Sequence, residues 1–265
     1  MSYLGTKDFG LEVALGNVTG YTKVNKFGET TNADSGTATD VWDGSVTTAI
    51  WVPPTAARVH AIASTSDVDS DTGGVVAQGA GLRTVKIYGL KTWGTAESSE
   101  TVVMDGTTAV NTANSYVIIH RMHGVTWGAN GVNTGVITAT AATDATVTAQ
   151  ITAAQNQTQM MIYGVPSTQT IQIGKLIAQV VDGTGVTARA NGEVLMMTDP
   201  ATDVANNTAW TNKENFTAIE GQNPWTHEYE VPKSCTGPCI VKMQVTSNAN
   251  NTVVIAAMDA YIVDN

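Results

Sequence analysis

The C-terminal stretch Val253-Val-Ile-Ala-Ala-Met-Asp-Ala-Tyr-Ile-Val263 decides the fold class. Read in steps of two, Val254, Ala256, Met258, Ala260 and Ile262 fall on one side, the mark of a long strand whose successive side chains point to opposite faces. The same alternation recurs elsewhere. Val241, Met243 and Val245 alternate with Lys242 and Gln244, and Val85 and Ile87 alternate with Thr84, Lys86 and Tyr88. Val59, Ala61 and Ala63 are placed together on one further strand face. Between Ile171 and Val180 the phase slips at Gly174, which predicts a β-bulge. No segment carries a helical period.

Composition agrees. The 265 residues include 31 valines and 15 isoleucines but only 7 leucines. β-Branched side chains are stiff at χ1 and pack well on a pleated surface, whereas leucine is the usual filler of helical cores. A helical bundle and a doubly wound α/β enzyme are therefore disfavoured. At 42% hydrophobic the chain is too apolar for disorder and long enough for one large core or two modest ones.

Residues 1–40 read as an extended arm, with widely spaced glycines and sparse apolar positions at Leu11, Val13, Val18, Tyr21 and Phe27. From Val41 onward, short apolar alternations lie between Gly, Asn, Asp and Pro clusters, as in an all-β sandwich or barrel. A faint repeat links Val52-Pro-Pro-Thr55 to Val165-Pro-Ser-Thr168, and Asn133–Ala139 to Asn251–Ala257. It predicts two jelly-roll-like sandwiches, 41–153 and 154–265, divided in the polar stretch 153–159. One larger two-sheet sandwich is the alternative.

The net charge is −10, and no run of Lys or Arg occurs, so the counterion release that drives nucleic-acid binding has no cationic surface behind it. Apolar runs fall short of the ~18 residues that suggest a membrane span. Lys7, Asp8 and Glu12 interrupt any secretory signal, which predicts synthesis in a cytoplasm.

Standard catalytic signatures are missing from the sequence. His120 and His123, three apart on a strand, are expected on opposite faces, and His60 and His227 are isolated. Asp67-Val-Asp69-Ser-Asp71-Thr-Gly73 places alternating carboxylates before a glycine, a pattern able to wrap Ca²⁺. The glycine is one position late, and Gln78 stands where a bidentate Glu is wanted. A solvated acidic loop is the competing reading, and no other cofactor is suggested. Cys235-Thr-Gly-Pro-Cys239 sits on a turn and admits either a local disulfide or a reduced pair. Trp210 and Trp225 flank the polar stretch 212–222, expected to be a loop and a place for glycan contact.

Several segments in order resemble a family of virion structural proteins of tailed bacteriophages. They are Leu11-Glu-Val-Ala-Leu-Gly-Asn-Val-Thr-Gly20, Val24-Asn-Lys-Phe-Gly28, Asp40-Val-Trp-Asp-Gly44 and Gly81-Leu-Arg-Thr-Val-Lys-Ile-Tyr-Gly-Leu90. They continue with Glu100-Thr-Val-Val-Met-Asp-Gly-Thr-Thr-Ala-Val110, Gln157-Thr-Gln-Met-Met-Ile-Tyr-Gly-Val-Pro166 and Tyr261-Ile-Val-Asp264. The family's arm usually continues from Lys-Phe-Gly into Arg-Asn, where this chain has Glu29-Thr30.

The resemblance implies a non-enzymatic capsid decoration (cement) or head-fibre protein located in the virion. Its implied partners are the major capsid protein or other virion proteins, met by a symmetric homo-oligomer such as a trimer, with the arm as anchor. Nucleic acid and membrane are not expected partners. The alternative is a receptor-binding module of a tail fibre or tail knob that contacts surface glycan through a loop near Asn206–Asn223.

Overall fold

A computed structural model describes residues 8–184, 187–203 and 209–265. It is almost entirely β. The elements run α1 (Phe9–Ala14), β1 (Tyr21–Ala33), β2 (Ala38–Asp40), β3 (His60–Ser64), β4 (Leu82–Leu90) and β5 (Ser98–Val103). Next come β6 (Val110–Asn111), β7 (Ile118–Trp127), β8 (Ile137–Ala141), β9 (Thr146–Ile151), β10 (Ile162–Val165) and β11 (Gln169–Thr184). The last are β12 (Arg189–Met197), α2 (Pro200–Asp203), β13 (Trp210–Ile219), β14 (Trp225–Thr236), β15 (Cys239–Ser247) and β16 (Asn250–Asp264).

These strands form antiparallel sheets packed as sandwiches. An outer sheet has the order β1-β16-β11-β14, and a central sheet has β10-β15-β12-β13, with β2 added on β15. Two more sheets, β6-β3-β8-β9 and β5-β4-β7, come from the middle of the sequence. The long terminal strand behaves as its pattern demands: Val254, Ala256, Met258, Ala260 and Ile262 are all buried. The predicted slip at Gly174 is a register shift between Ile173 and Lys175 against both neighbours of β11. In β3 the buried face carries His60, Ile62 and Ser64, and Val59, Ala61 and Ala63 share the other, half-buried face.

The central sheet serves two cores. Met161, Tyr163 and Val165 of the β10 segment, Val194 and Met196 of β12, and Val241, Met243 and Val245 of β15 pack with the outer sheet. Their alternates Met160, Ile162, Met197 and Ile240 join the other core, with Trp42, Trp51, Ile87, Ile118 and Ile137. This double burial explains why Met160-Met-Ile162 and Val194-Leu-Met-Met197 are unbroken apolar runs: no position in them faces water.

The arm is corrected in one respect. From Tyr21 to Ala33 it is the edge strand of the outer sheet, paired with β16 from Tyr21↔Val263 to Ala33↔Thr252, and Ala38–Asp40 extends the central sheet. Residues 21–40 therefore belong to the second unit. Sparse apolar residues hide this strand because β1 turns Lys26, Gly28 and Thr30 inward, polar or small residues that meet His120 O, Met161 N and Ser45 Oγ across the junction.

Ahead of β1 lies α1, too short to show a period. The Asp8 carboxylate caps it by accepting from Leu11 N at 2.9 Å, and Gly16 (φ 75°) ends it in the left-handed conformation. Val13 is buried, Leu11 exposed, Val18 half-buried, Tyr21 exposed and Phe27 half-buried.

One buried ion pair ties the segments together. Lys242 Nζ lies 2.8 Å from Asp40 Oδ2, with side chains 1% and 0% exposed. Asp40 also accepts from Trp51 N and Gln244 Nε2, both at 2.8 Å, and the Lys242 ammonium sits 4.2 Å from the Trp210 ring centre.

Two outcomes follow from this architecture. Asp40→Ala strands the Lys242 charge in the interior and is expected to cost about 3–5 kcal/mol in denaturant unfolding, most of it recovered in the double variant Asp40→Leu with Lys242→Met. Among the described residues, deletion of 1–18 loses the burial of Val13, about 1.5–3 kcal/mol, and the Phe9 ring contacts with Tyr21 and Tyr261. Deletion of 1–30 removes most of β1 and uncovers β16; circular dichroism melts should show the first truncation cooperative and the second severely destabilised.

Candidate functional site

The most chemically populated place in the molecule is where the two units meet. There a cavity of about 410 Å³ is lined by Lys26 of β1, Tyr88 of β4, Glu97 just before β5, His120 and Arg121 of β7, and Tyr163 of β10. Glycines let these strands close together beside it. A Cβ on Gly28 would lie 2.4 Å from Met161 N, and one on Gly164 would lie 2.8 Å from Ile118 Cγ2. Such distances admit only glycine. Where the long side chains Lys26, His120 and Tyr163 replace these glycines, the same strands stand apart and leave room.

Lys26 is 7% exposed, and its ammonium donates to the His120 carbonyl. Burial, and then the nearby Arg121 charge, lower its pKa to about 7, against weaker pulls from Glu97 and Asp43. The His120 ring stacks on Tyr163 with centroids 4.5 Å apart, and its Nε2 lies 2.6 Å from Glu97 Oε2. Burial lowers the His120 pKa in spite of Glu97, so the ring is neutral, with Nε2–H donating to the carboxylate. Its Nδ1 is then a bare acceptor, buried with no partner among the described residues. Burial opposes ionisation of Glu97, but the His120 bond and the neighbouring cations hold the carboxyl below its ordinary value. Tyr163 is pushed up by burial and then by the Glu97 charge, and stays a phenol.

The rim is cationic and aromatic. The Arg121 guanidinium lies 5.3 Å from the Tyr88 ring centre, and Lys86 Nζ lies 5.1 Å from it. His123 donates from Nδ1 to the Gly124 carbonyl at 2.8 Å and accepts the Tyr88 hydroxyl at 3.1 Å through Nε2. The two histidines thus serve different neighbours. Sequence reading passed over Lys26, Glu97, Arg121 and Tyr163. The available signal was Lys26 itself, a lysine on the inward phase shared with Val24, Gly28 and Thr30.

A second cavity, about 510 Å³, includes Asp43, Val46, Val136, Val147 and Gln150 in its wall. Asp43 Oδ2 accepts from Thr152 N and Gln159 N, both at 3.3 Å, while Oδ1 has no partner among the described residues. Burial pushes this carboxyl up to about 8. In the core behind, His60 is lowered to about 4, again by burial first.

The sequence candidates are dispersed. Asp69 is fully buried and accepts from Ser64 Oγ, Leu82 N, Thr134 N and Gly135 N at 2.7–2.8 Å, which satisfies it as a structural carboxylate. Asp67 accepts from Thr107 N and Oγ1, and Asp71 from Thr72 N and Gln78 Nε2. The three carboxylates do not converge, and among the described residues no group of three His, Cys, Asp or Glu side chains is gathered for a metal ion. Alternation along an irregular loop turned them to different partners.

Cys235 and Cys239 are buried free thiols, Cys239 donating to the Cys235 carbonyl at 3.8 Å, so the structure holds the reduced pair and not the disulfide. The polar stretch 212–222 is corrected as well: through Ile219 it is strand β13, paired along β12, and its polar residues face outward. Trp225 stacks on Phe216 at 5.0 Å and Trp210 lies against Lys242, so both rings are packed into the sandwich. Asn206 lies outside the described residues.

No protein-family model matches the chain, and no curated protein matches it.

Asp43 supplies a test of the buried charges. A carboxyl raised in the folded state contributes stability that is complete below its ordinary value of 3.8 and is lost as pH rises through about 8. Lys26, lowered, runs the opposite way, losing its contribution as pH falls through about 7. Asp43→Asn removes the first effect and, with it, the weak upward pull of Asp43 on Lys26. Its Tm advantage over wild type should widen by several degrees between about pH 5 and pH 8, since 1 kcal/mol moves Tm by roughly 2–4 °C at this size. A constant difference would show that Asp43 is ionised throughout.

Proposed function

We propose that this chain is a non-enzymatic structural protein of a tailed-bacteriophage particle, decorating or cementing the capsid as a symmetric oligomer such as a trimer, its sandwiches jelly-roll-like in connection. The reading rests on the ordered resemblance of its segments to that class, and one structural observation supports it most. Helix α1 is held against the body and yet turns an apolar face outward. Phe9 packs on Tyr21 and Tyr261 with ring centroids 5.4 and 5.6 Å apart, and Val13 is buried. Leu11 and Leu15, one turn apart on the other side, are 57% and 63% exposed. A leucine pair fixed in water gains nothing for the isolated chain; covered by a neighbouring subunit, each contributes about 1.5–3 kcal/mol, multiplied over a symmetric shell.

Anchoring thus contracts from forty residues to the α1 segment, with β1 as its mount. The low charge, 14% of residues, suits surfaces that neighbours cover.

The double variant Leu11→Asp with Leu15→Asp should keep the wild-type melting profile, because both positions are exposed. Mixed with capsids stripped of this protein and spun through a sucrose cushion, wild type should pellet with the particles and the variant should stay in the supernatant. Co-sedimentation of the variant at wild-type level would remove α1 as the anchor.

A further inference from the structure

We propose that the cavity at the junction binds a sugar acid: a monosaccharide-sized ring that carries a carboxylate beside its hydroxyls. The inference is independent of the assembly role, since it concerns the opposite kind of surface, a concave polar one between the two units.

Each requirement comes from a group on the cavity wall. The Lys26 ammonium has three N–H bonds, and the one hydrogen bond it makes among the described residues goes to the His120 carbonyl. Arg121 lies beside it, its guanidinium over the Tyr88 ring and in no ion pair among the described residues. A carboxylate in the cavity pairs bidentately with the guanidinium fork and favours the protonated form of Lys26, whose pKa burial and Arg121 hold at about 7.

Glu97 decides which anion. It stands at the same wall, ionised and held by His120. A sulfate would meet that carboxylate with double charge and no proton to donate, and a hydrogen phosphate dianion with double charge and a single P–OH. A monocarboxylate with neighbouring hydroxyls places one charge on the Lys26–Arg121 side and donates hydroxyl protons to Glu97. Tyr88 and Tyr163, whose rings lie against His123 and His120, close the apolar part of the wall, and the volume, about 410 Å³, falls in the range of small-molecule sites.

The test titrates the full chain at neutral pH by isothermal calorimetry, with saturation-transfer NMR, against glucuronate, glucose, acetate and inorganic phosphate. Glucuronate should bind with a dissociation constant of about 1 mM or tighter. Glucose, which lacks the carboxylate, acetate, which lacks the ring, and phosphate should each bind at least tenfold more weakly.

Arg121→Gln removes an exposed side chain and Lys26→Met keeps the buried stem. Each should weaken glucuronate tenfold or more while melting curves show the fold retained. If Lys26→Met unfolds, Arg121→Gln alone carries the mutational test. The proposal is overturned if glucuronate gives no saturable binding, if phosphate or glucose matches it, or if Arg121→Gln binds as wild type does.

Discussion

The structure depends on one sheet that is buried on both sides. Strands β10, β12 and β15 send alternate side chains into two cores along 162–165, 194–197 and 239–243, so no position of those segments is left to water. A two-faced sheet cannot slip by one residue to correct an error, because the slip exchanges one core's side chains for the other's. It also makes the two units inseparable: Met160 and Met161, neighbours in sequence, are fully buried in different cores. The chain is therefore better described as one welded body with two cores than as two sandwiches on a tether.

The weld dictates where charge is trapped. A sheet edge that enters a junction brings its backbone groups and any inward polar side chain out of water together. Asp40 and Lys242 meet this by pairing and by recruiting Trp51 N and Gln244, so every charge has a partner at hydrogen-bond distance. Lys26 and Asp43 are treated differently. Each is buried with fewer partners and its pKa moves toward neutrality, as burial also raises Asp40 against the pull of Lys242. The contrast within one interface lies in the partners: a closed ion pair on one side, groups with unmade hydrogen bonds on the other.

The legible part of the sequence was the part governed by local periodicity. The β16 face, the inward phase of β4 and the bulge at Gly174 were all readable, because one buried face and one wet face imprint a period of two. The echoed segments occupy like positions, β3 antiparallel to β8 in one unit and β11 to β16 in the other, a pairing that the repeat did not itself predict. What stayed hidden was set by distant partners. Residues 21–33 read as an arm because their inward positions are Lys26, Gly28 and Thr30, which make sense only once Met161, His120 and Ser45 are placed opposite. The stretch after Trp210 read as a loop because its polar residues occupy the outer face of β13, where polarity carries no information about strand or loop. The cavity residues come from four strands and one loop, and no spacing rule links Lys26 to Glu97 and His120.

Glycine placement shows that the cavity is a specific feature and not loose packing. The strands around it approach as closely as backbone allows at Gly28 and Gly164, where a single Cβ would collide with main chain or with Ile118. An interface able to close that tightly could have closed throughout with small apolar residues, at a gain in stability and without desolvating a lysine. Instead, two residues from Gly28, Lys26 holds β1 off β7, and one residue from Gly164, Tyr163 lies flat on His120. Keeping Lys26 and an ionised Glu97 carboxylate around an open volume costs folding energy at each group. Where the strands close to atomic contact at Gly28 and Gly164, a ligand that satisfies both groups is the simplest compensation for that cost.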